Sequence, residues 1–246
     1  MAIIQPEINE HGQPVGPLIP NWTPPPPPPR VPLRGYFCRL EPLDPERHAA
    51  ELCDANILDA AGVNWTYLPY GPFASLEEYR AWVAESAAGS DPLFYAIIPR
   101  ASGKALGVAS YLRITPSSAS IEVGHLNYAP PLQQTPAATE AMYLMMEQAF
   151  ALGYRRYEWK CNALNLPSRR AALRLGFSFE GIFRQATVVK GRNRDTAWYA
   201  VIDREWPALR LAFLRWLDST NFDARGRQRQ RLSELTQPLL EARNRP

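Results

Sequence analysis

The residues best suited to chemistry stand in one turn, Leu132-Gln133-Gln134-Thr135-Pro136-Ala137-Ala138-Thr139-Glu140. Threonine is a favoured helix N-cap and proline a favoured first helical residue. A helix is therefore predicted to start at Pro136. The amides of Ala137, Ala138 and Thr139 then lack intrahelical acceptors and face outward at the positive end of the helix dipole. Small side chains at 137 and 138 let a bulky anion reach the backbone. The chemistry of such a turn is phosphate binding, although a capped helix that binds nothing has the same pattern. His, Cys and carboxylate residues do not cluster at metal-ligand spacing, so no metal site is expected. Cys38, Cys53 and Cys161 are odd in number and widely spaced, which points to free thiols in a reducing, cytoplasmic setting.

The elements that hold this turn follow from periodicity. Residues 36–43 alternate as a strand. Residues 45–61 repeat apolar positions at helical spacing until Gly62. An aromatic loop covers 64–73, and Ser75 caps a second helix whose first turn holds Glu77 and Glu78. Three strands, 93–99, 104–114 and 119–128, are joined by short turns as an antiparallel meander. The helix at 136–153 puts Ala138, Ala141, Met142, Met145, Ala149 and Leu152 on one face. A strand at 155–162, a helix at 165–177, a hairpin of 179–191 with 194–202, and a helix at 204–218 complete the order. Pro207 must then lie in the last helix's first turn. His48 falls on the surface of the first helix. The fold class is α/β (α+β), helices around a mixed sheet.

Composition bounds the alternatives. Of 246 residues, 46% are apolar and 21% charged, which excludes wholesale disorder. No apolar run reaches the roughly 18 residues of a membrane helix. The first residues lack the basic start and apolar stretch of a signal peptide. Eleven of the 25 prolines fall in residues 1–32, a proline-rich arm with the run Pro24 to Pro29. That arm reads as an extended spacer or surface-hugging strap, or as a docking peptide for an aromatic groove. Residues 219–246 form a basic tail, read as solvated, a surface helix or frayed; within 225–246 six Arg outweigh two Glu, a net +4, against −1 for residues 1–30. The net charge of +3 leaves residues 31–224 neutral, which argues against a nucleic-acid partner.

The order of elements and several short motifs resemble the GNAT superfamily of N-acetyltransferases, in particular its ribosomal-protein N-terminal alanine acetyltransferase branch. The motifs are Ile121-Glu122-Val123-Gly124, the turn Gln133 to Thr139 with Glu140-Ala141, Asn165 with Ser168, and Leu175-Gly176-Phe177 with Glu180 to Arg184. Gly191 and Asp195 fit the branch's final hairpin. Residues 65–73 resemble a subgroup of these proteins without assigned substrates. The resemblance implies an acetyltransferase domain over 33–218 with a mixed, mostly antiparallel, central sheet. It also implies a splayed strand pair at the cofactor site, where Val123, Gly124 and His125 lie close to the thioester of acetyl-CoA. The family's phosphate loop has Gln or Arg, two residues, Gly, one residue, then Gly or Ala. Gln133 and Ala138 fit, with Gln134, Thr135, Ala137 and Thr139 between and beside them. Pro136 replaces the glycine, removing a donor and excluding positive φ. Asn165 matches the family's pantetheine-binding Asn, and Ser168 lies near the thiol, yet both are also good helix caps.

The implied reaction is direct transfer of an acetyl group from acetyl-CoA to a primary amine in a ternary complex. Glu122 is the candidate base, through a water, or else the buried partner of Arg113 or Arg184. His125 is a second candidate base, or an ordinary sheet histidine. Many members place a Tyr where this chain has Ala171-Ala172-Leu173, so the acid role is vacant here or falls to Ser168 or a water. Trp65, Tyr67, Tyr70 and Phe73 could line the acceptor pocket. Asp195 could meet a cationic acceptor or pair with Arg192 or Arg194. Such a pocket suits a peptide N-terminus, a polyamine or a small amine, and leaves a homodimer open. The reading from another class is a non-catalytic acyl-CoA-binding or interaction protein on the same fold.

Overall fold

A computed structural model of the chain describes residues 6–243. The first five residues of the proline-rich arm and the last three of the basic tail lie outside the described residues. The main sheet is built on the meander β5 (Leu93–Pro99), β6 (Gly107–Thr115) and β7 (Ser120–Tyr128), which pair antiparallel in sequence order. β4 (Cys38–Pro42) joins the free edge of β5, and the short β3 (Leu33–Arg34) pairs with β4. On the other side β7 pairs with β8 (Arg156–Asn162), followed by β10 (Arg192–Ile202) and β9 (Ser178–Val189). Among the eight strands only β7 and β8 run parallel. A parallel neighbour needs a long crossover, which α3 (Pro136–Ala151) supplies. The expected mixed, mostly antiparallel sheet is observed.

Helices cover both faces. α3 and α5 (Trp206–Leu217) pack on one, burying Ala141, Met145, Met146, Ala149, Leu209 and Phe213. α1 (Pro45–Ile57) and α2 (Leu76–Ala88) pack on the other through Ala49, Leu52, Tyr79 and Val83. Burial of each large apolar side chain contributes about 1.5–3 kcal/mol. α4 (Leu166–Arg174) adds Ala172 to the larger core.

Several boundaries differ from the sequence reading. α1 ends at Ile57, four residues early. The Asp59 carboxylate accepts the amides of Val63 (3.2 Å) and Asn64 (2.8 Å), offering the backbone a turn in place of helix. His48 is buried, 2% exposed, not on the surface. Its Nδ1 accepts the Asp44 amide (3.1 Å), and burial keeps the ring neutral by lowering its pKa. The tail is folded too: α6 (Leu232–Arg243) carries a fully buried Leu232 and a Thr236 only 1% exposed.

The arm begins as a small hairpin of β1 (Glu7–Ile8) and β2 (Pro14–Val15). Its proline run lies against the domain, with Pro25 and Pro28 buried. Their spacing is one turn of polyproline II. Tyr95 donates its hydroxyl to the Pro29 carbonyl (3.1 Å), and Arg30 reaches the Ala87 carbonyl (2.6 Å). α2 has no basic residue in its own last turn, so Arg30 supplies the cation its C-terminus favours.

Candidate functional site

β7 and β8 pair only from Ser120–Arg156 to Val123–Trp159. Beyond that point β7 stays with β6, and β8 stays with β10 as far as Asn162. Their facing edges therefore separate after Val123. A bulge opposite Ala109 turns β7 at this point, with His125 at φ +51°. A cleft of about 910 Å³ lies beside the separation, between the start of α3, α4 and the aromatic loop. Gln133, Gln134, Thr135, Pro136, Ala138 and Thr139 line one wall, and Asn165 and Ser168 line another.

The turn uses its amides differently from the expectation. Thr135 Oγ1 donates to the Leu132 carbonyl (2.7 Å) and accepts the Ala138 amide (3.2 Å), while the Thr135 carbonyl accepts the Thr139 amide (3.4 Å). Of the three amides expected to be free, two are thus satisfied by the cap itself. The amides without a protein acceptor are those of Ala137 and of Gln134, the latter at φ +58°. Gln133 braces the turn, since its Nε2 donates to the Tyr128 carbonyl (2.8 Å) and to Asn64 Oδ1 (3.1 Å).

On α4, Asn165 Oδ1 caps the helix by accepting the Ser168 amide (3.1 Å). Ser168 Oγ accepts the Trp159 indole N–H (3.0 Å), which leaves its own O–H to donate. Ala171 lines the cleft and offers no hydroxyl there.

Glu122 is 3% exposed and held from both sides. Arg113 Nη1 lies 2.8 Å from Oε1 and Lys160 Nζ 2.9 Å from Oε2. Lys160 also meets Glu158 (2.6 Å) and stands 3.9 Å over the Trp198 ring. Burial raises the Glu122 pKa above the ordinary carboxylate value, and the two cations offset this only in part. The sequence alternative of a buried ion pair is thus present, with Arg113 and not Arg184. His125 is held neutral at pH 7, its pKa brought down to about 4 by burial, Arg113 and Arg194. Its Nδ1 lies 3.2 Å from the Tyr70 hydroxyl, and the two rings stack.

Of the expected acceptor residues, Tyr67 lines the cleft and donates to the Leu164 carbonyl (3.3 Å). Trp65 is 5% exposed and backs the aromatic wall. Gly71, at φ +64°, makes room for that indole, since a Cβ there would lie 2.4 Å from it. Lys190, at the β9–β10 tip, donates to the carbonyls of Trp65 and Gly71 (2.8 Å each), fixing the loop to the hairpin. Asp195 is not brought to the aromatic wall. Its Oδ1 accepts the Gln185 amide (2.8 Å) and Asn193 Nδ2 (3.0 Å), pinning the bulge of β9. Val123 (1% exposed) and Ala137 (6%) are core residues, and Gly124 lies at the point of separation.

The sequence reading missed Asn127. It lines the cleft from β7, is 3% exposed, and neither Oδ1 nor Nδ2 has a protein partner. A buried amide left open is costly unless a ligand satisfies it. A polar residue at the apolar end of a strand is the signal that could have found it.

The family model of the GNAT acetyltransferase domain matches residues 38–178, the stretch that builds β4 to β8, the turn and α4. The chain belongs to the GNAT acetyltransferase family. A GCN5-related N-acetyltransferase from Brucella melitensis is 48% identical, with a TM-score of 0.87 over 89% of this chain and 100% of that one. A probable GNAT acetyltransferase from Chromobacterium violaceum is 42% identical, with a TM-score of 0.73 over 80% and 98%. At 23% identity, the Salmonella typhimurium acetyl transferase that modifies the N-terminal serine of ribosomal protein L7/L12 shares the fold, with a TM-score of 0.59 over 70% and 98%. No curated protein matches the chain. This GNAT protein has, among its described residues, no helix long and apolar enough to cross a membrane.

Proposed function

We propose that the protein transfers an acetyl group from acetyl-CoA to a primary amine, directly and within a ternary complex. The observation that supports this most is the cleft at the strand separation. It presents the open amides of the turn and the unpartnered Asn127. Three arginines, Arg170, Arg174 and Arg227, line it and no carboxylate does. Such a wall suits a long polyanion with an amide-bearing arm. When bound, acetyl-CoA supplies the thioester whose carbonyl carbon takes the amine nitrogen and whose sulfur leaves as a thiol.

The chain's own groups have separate tasks in this reading. The amides of Gln134 and Ala137 hold the diphosphate at the start of α3. The free edge of β7 from Gly124, with Asn127 and Asn165, orients the amide arm. Ser168 Oγ–H donates to the departing sulfur. Glu122 accepts the amine's proton through a water. Burial raises its proton affinity, while Arg113 and Lys160 favour its ionised form and offset that rise in part. Tyr67 and Tyr70 wall the amine site, with Trp65 behind them. A peptide N-terminus, a polyamine and a small amine are the acceptor classes to try.

The test is thiol release from acetyl-CoA with a panel of those amines. Turnover with at least one class is expected, and Glu122→Gln should lower kcat by about 100-fold, a general-base effect. Its cofactor affinity should stay within about threefold, since the removed charge does not line the cleft. The pH dependence should also flatten, because the group that must be ionised is gone. Binding of acetyl-CoA without turnover on any class would favour the non-catalytic alternative.

A further inference from the structure

The cleft extends beyond the stretch that matches the family model. Its rim includes Trp216 of α5 and then Phe222, Gly226, Arg227 and Gln228, all past residue 178. This segment is firmly built. Asn221, 9% exposed, donates to the carbonyls of Trp216 (2.9 Å) and Gln230 (3.2 Å) and accepts the Gln230 amide (2.9 Å). Trp216 Nε1 donates to Gln228 Oε1 (2.9 Å), and the Phe222 ring meets Trp216 edge-on at 5.2 Å. α6 then returns along α4, where Thr236 Oγ1 donates to the Arg174 carbonyl (3.0 Å). The tail therefore fixes Arg174 from behind and brings Arg227 to the same cleft.

Arg174 has no carboxylate within ion-pair distance among the described residues. Both its terminal nitrogens donate to Thr139 Oγ1 (3.1 Å each), and its guanidinium lies 5.2 Å from the Trp216 ring. Burial disfavours its charged form. A part-buried cation without a counter-ion calls for an anion from outside. Thr139 lies one helical turn beyond Thr135, so this cation stands a short way past the turn that would hold the diphosphate. Arg227 is two-thirds exposed, and its one carboxylate contact among the described residues is Asp223, at 3.4 Å.

We propose that Arg174 and Arg227, set in place by the C-terminal segment 222–228, form a subsite for the phosphate monoester on the ribose of coenzyme A. The inference rests on the acetyl-CoA reading above. A phosphate monoester carries close to two negative charges at pH 7 and three acceptor oxygens, which two guanidinium groups can share. The tail thus acts as a specificity element of the cofactor site, and its positive charge is placed for that ligand.

The test is calorimetric titration of the full chain with coenzyme A and with 3′-dephospho-coenzyme A. The wild type should bind coenzyme A at least about tenfold more tightly, the value of one charge-assisted contact. Arg227→Ala should shrink that preference to less than about threefold, with the loss falling on coenzyme A far more than on the dephospho ligand, and Arg227→Glu should abolish it. Arg227 is exposed, so neither change threatens folding, which a melting curve checks. A wild type without preference, or a preference that survives both variants, overturns the subsite and spares the acetyl-CoA reading. If neither ligand binds the wild type, the acetyl-CoA reading falls and the subsite with it.

Discussion

Replacing Ala138 with Trp should all but abolish acetyl-CoA binding. Ala138 sits in the first turn of α3, is 8% exposed, and lines the cleft with its methyl group. Its amide is tied to Thr135, so the backbone cannot swing the larger side chain away without losing the cap. An indole at this position fills the space in front of the open amides of Gln134 and Ala137. The affinity should fall by more than about 100-fold, close to 3 kcal/mol. Ala138→Ser, which adds a single oxygen, should stay within about fivefold. Calorimetry measures both, and a melting curve separates a blocked cleft from a damaged helix. Unchanged affinity in a folded Ala138→Trp variant means that the cofactor lies elsewhere.

Glu140→Ala should cause the largest loss of stability. Glu140 is 4% exposed and collects three amides where the β3–β4 turn enters β4: Tyr36 at 2.8 Å, Phe37 at 2.6 Å and Cys38 at 2.7 Å. Gly35 leaves the room for this carboxylate, since a Cβ there would lie 2.3 Å from it. Truncation to Ala strands three donors, each costing about 1–3 kcal/mol if it stays buried. A total of about 4 kcal/mol is expected, allowing for partial access of water. For a chain of this size that corresponds to a melting temperature about 8–16 °C lower. Glu140→Gln keeps one acceptor oxygen and should lose about half as much. The same change should weaken cofactor binding, because Glu140 fixes the start of α3 against β4. A melting temperature within about 2 °C of wild type would contradict this role.

Much of the frame was legible in the sequence because it rests on local signals. The meander of β5 to β7 follows from alternation and short turns, and the start of α3 from Thr135 followed by Pro136. The separation of β7 from β8 came from the resemblance alone, since nothing local to Val123 announces that pairing stops there. What stayed hidden depends on contacts distant in sequence. The tail reads as solvated because it is rich in arginine and has few large apolar residues before Leu232. Yet Leu232, Leu235 and Leu239 repeat at helical spacing and pack on the main core. Arg174 and Arg227 are 53 positions apart in the chain, and the segment 222–228 anchored on Trp216 brings Arg227 to the cleft that Arg174 lines. Asp195 had the right charge for an amine, but the bulge of β9 claims it. The free amides at 138 and 139 were miscounted because a threonine cap satisfies them as it creates the turn.

The proposed function requires acetyl-CoA to enter the cleft. Titration by calorimetry, with a melting curve at saturation, measures it. Binding with one molecule per chain is predicted, and at 100 times Kd the fold should gain about 2.7 kcal/mol. That corresponds to a melting temperature raised by about 5–11 °C. The absence of both a heat of binding and a raised melting temperature at millimolar acetyl-CoA would contradict this function and would mean that Pro136 and its cap have closed the phosphate turn.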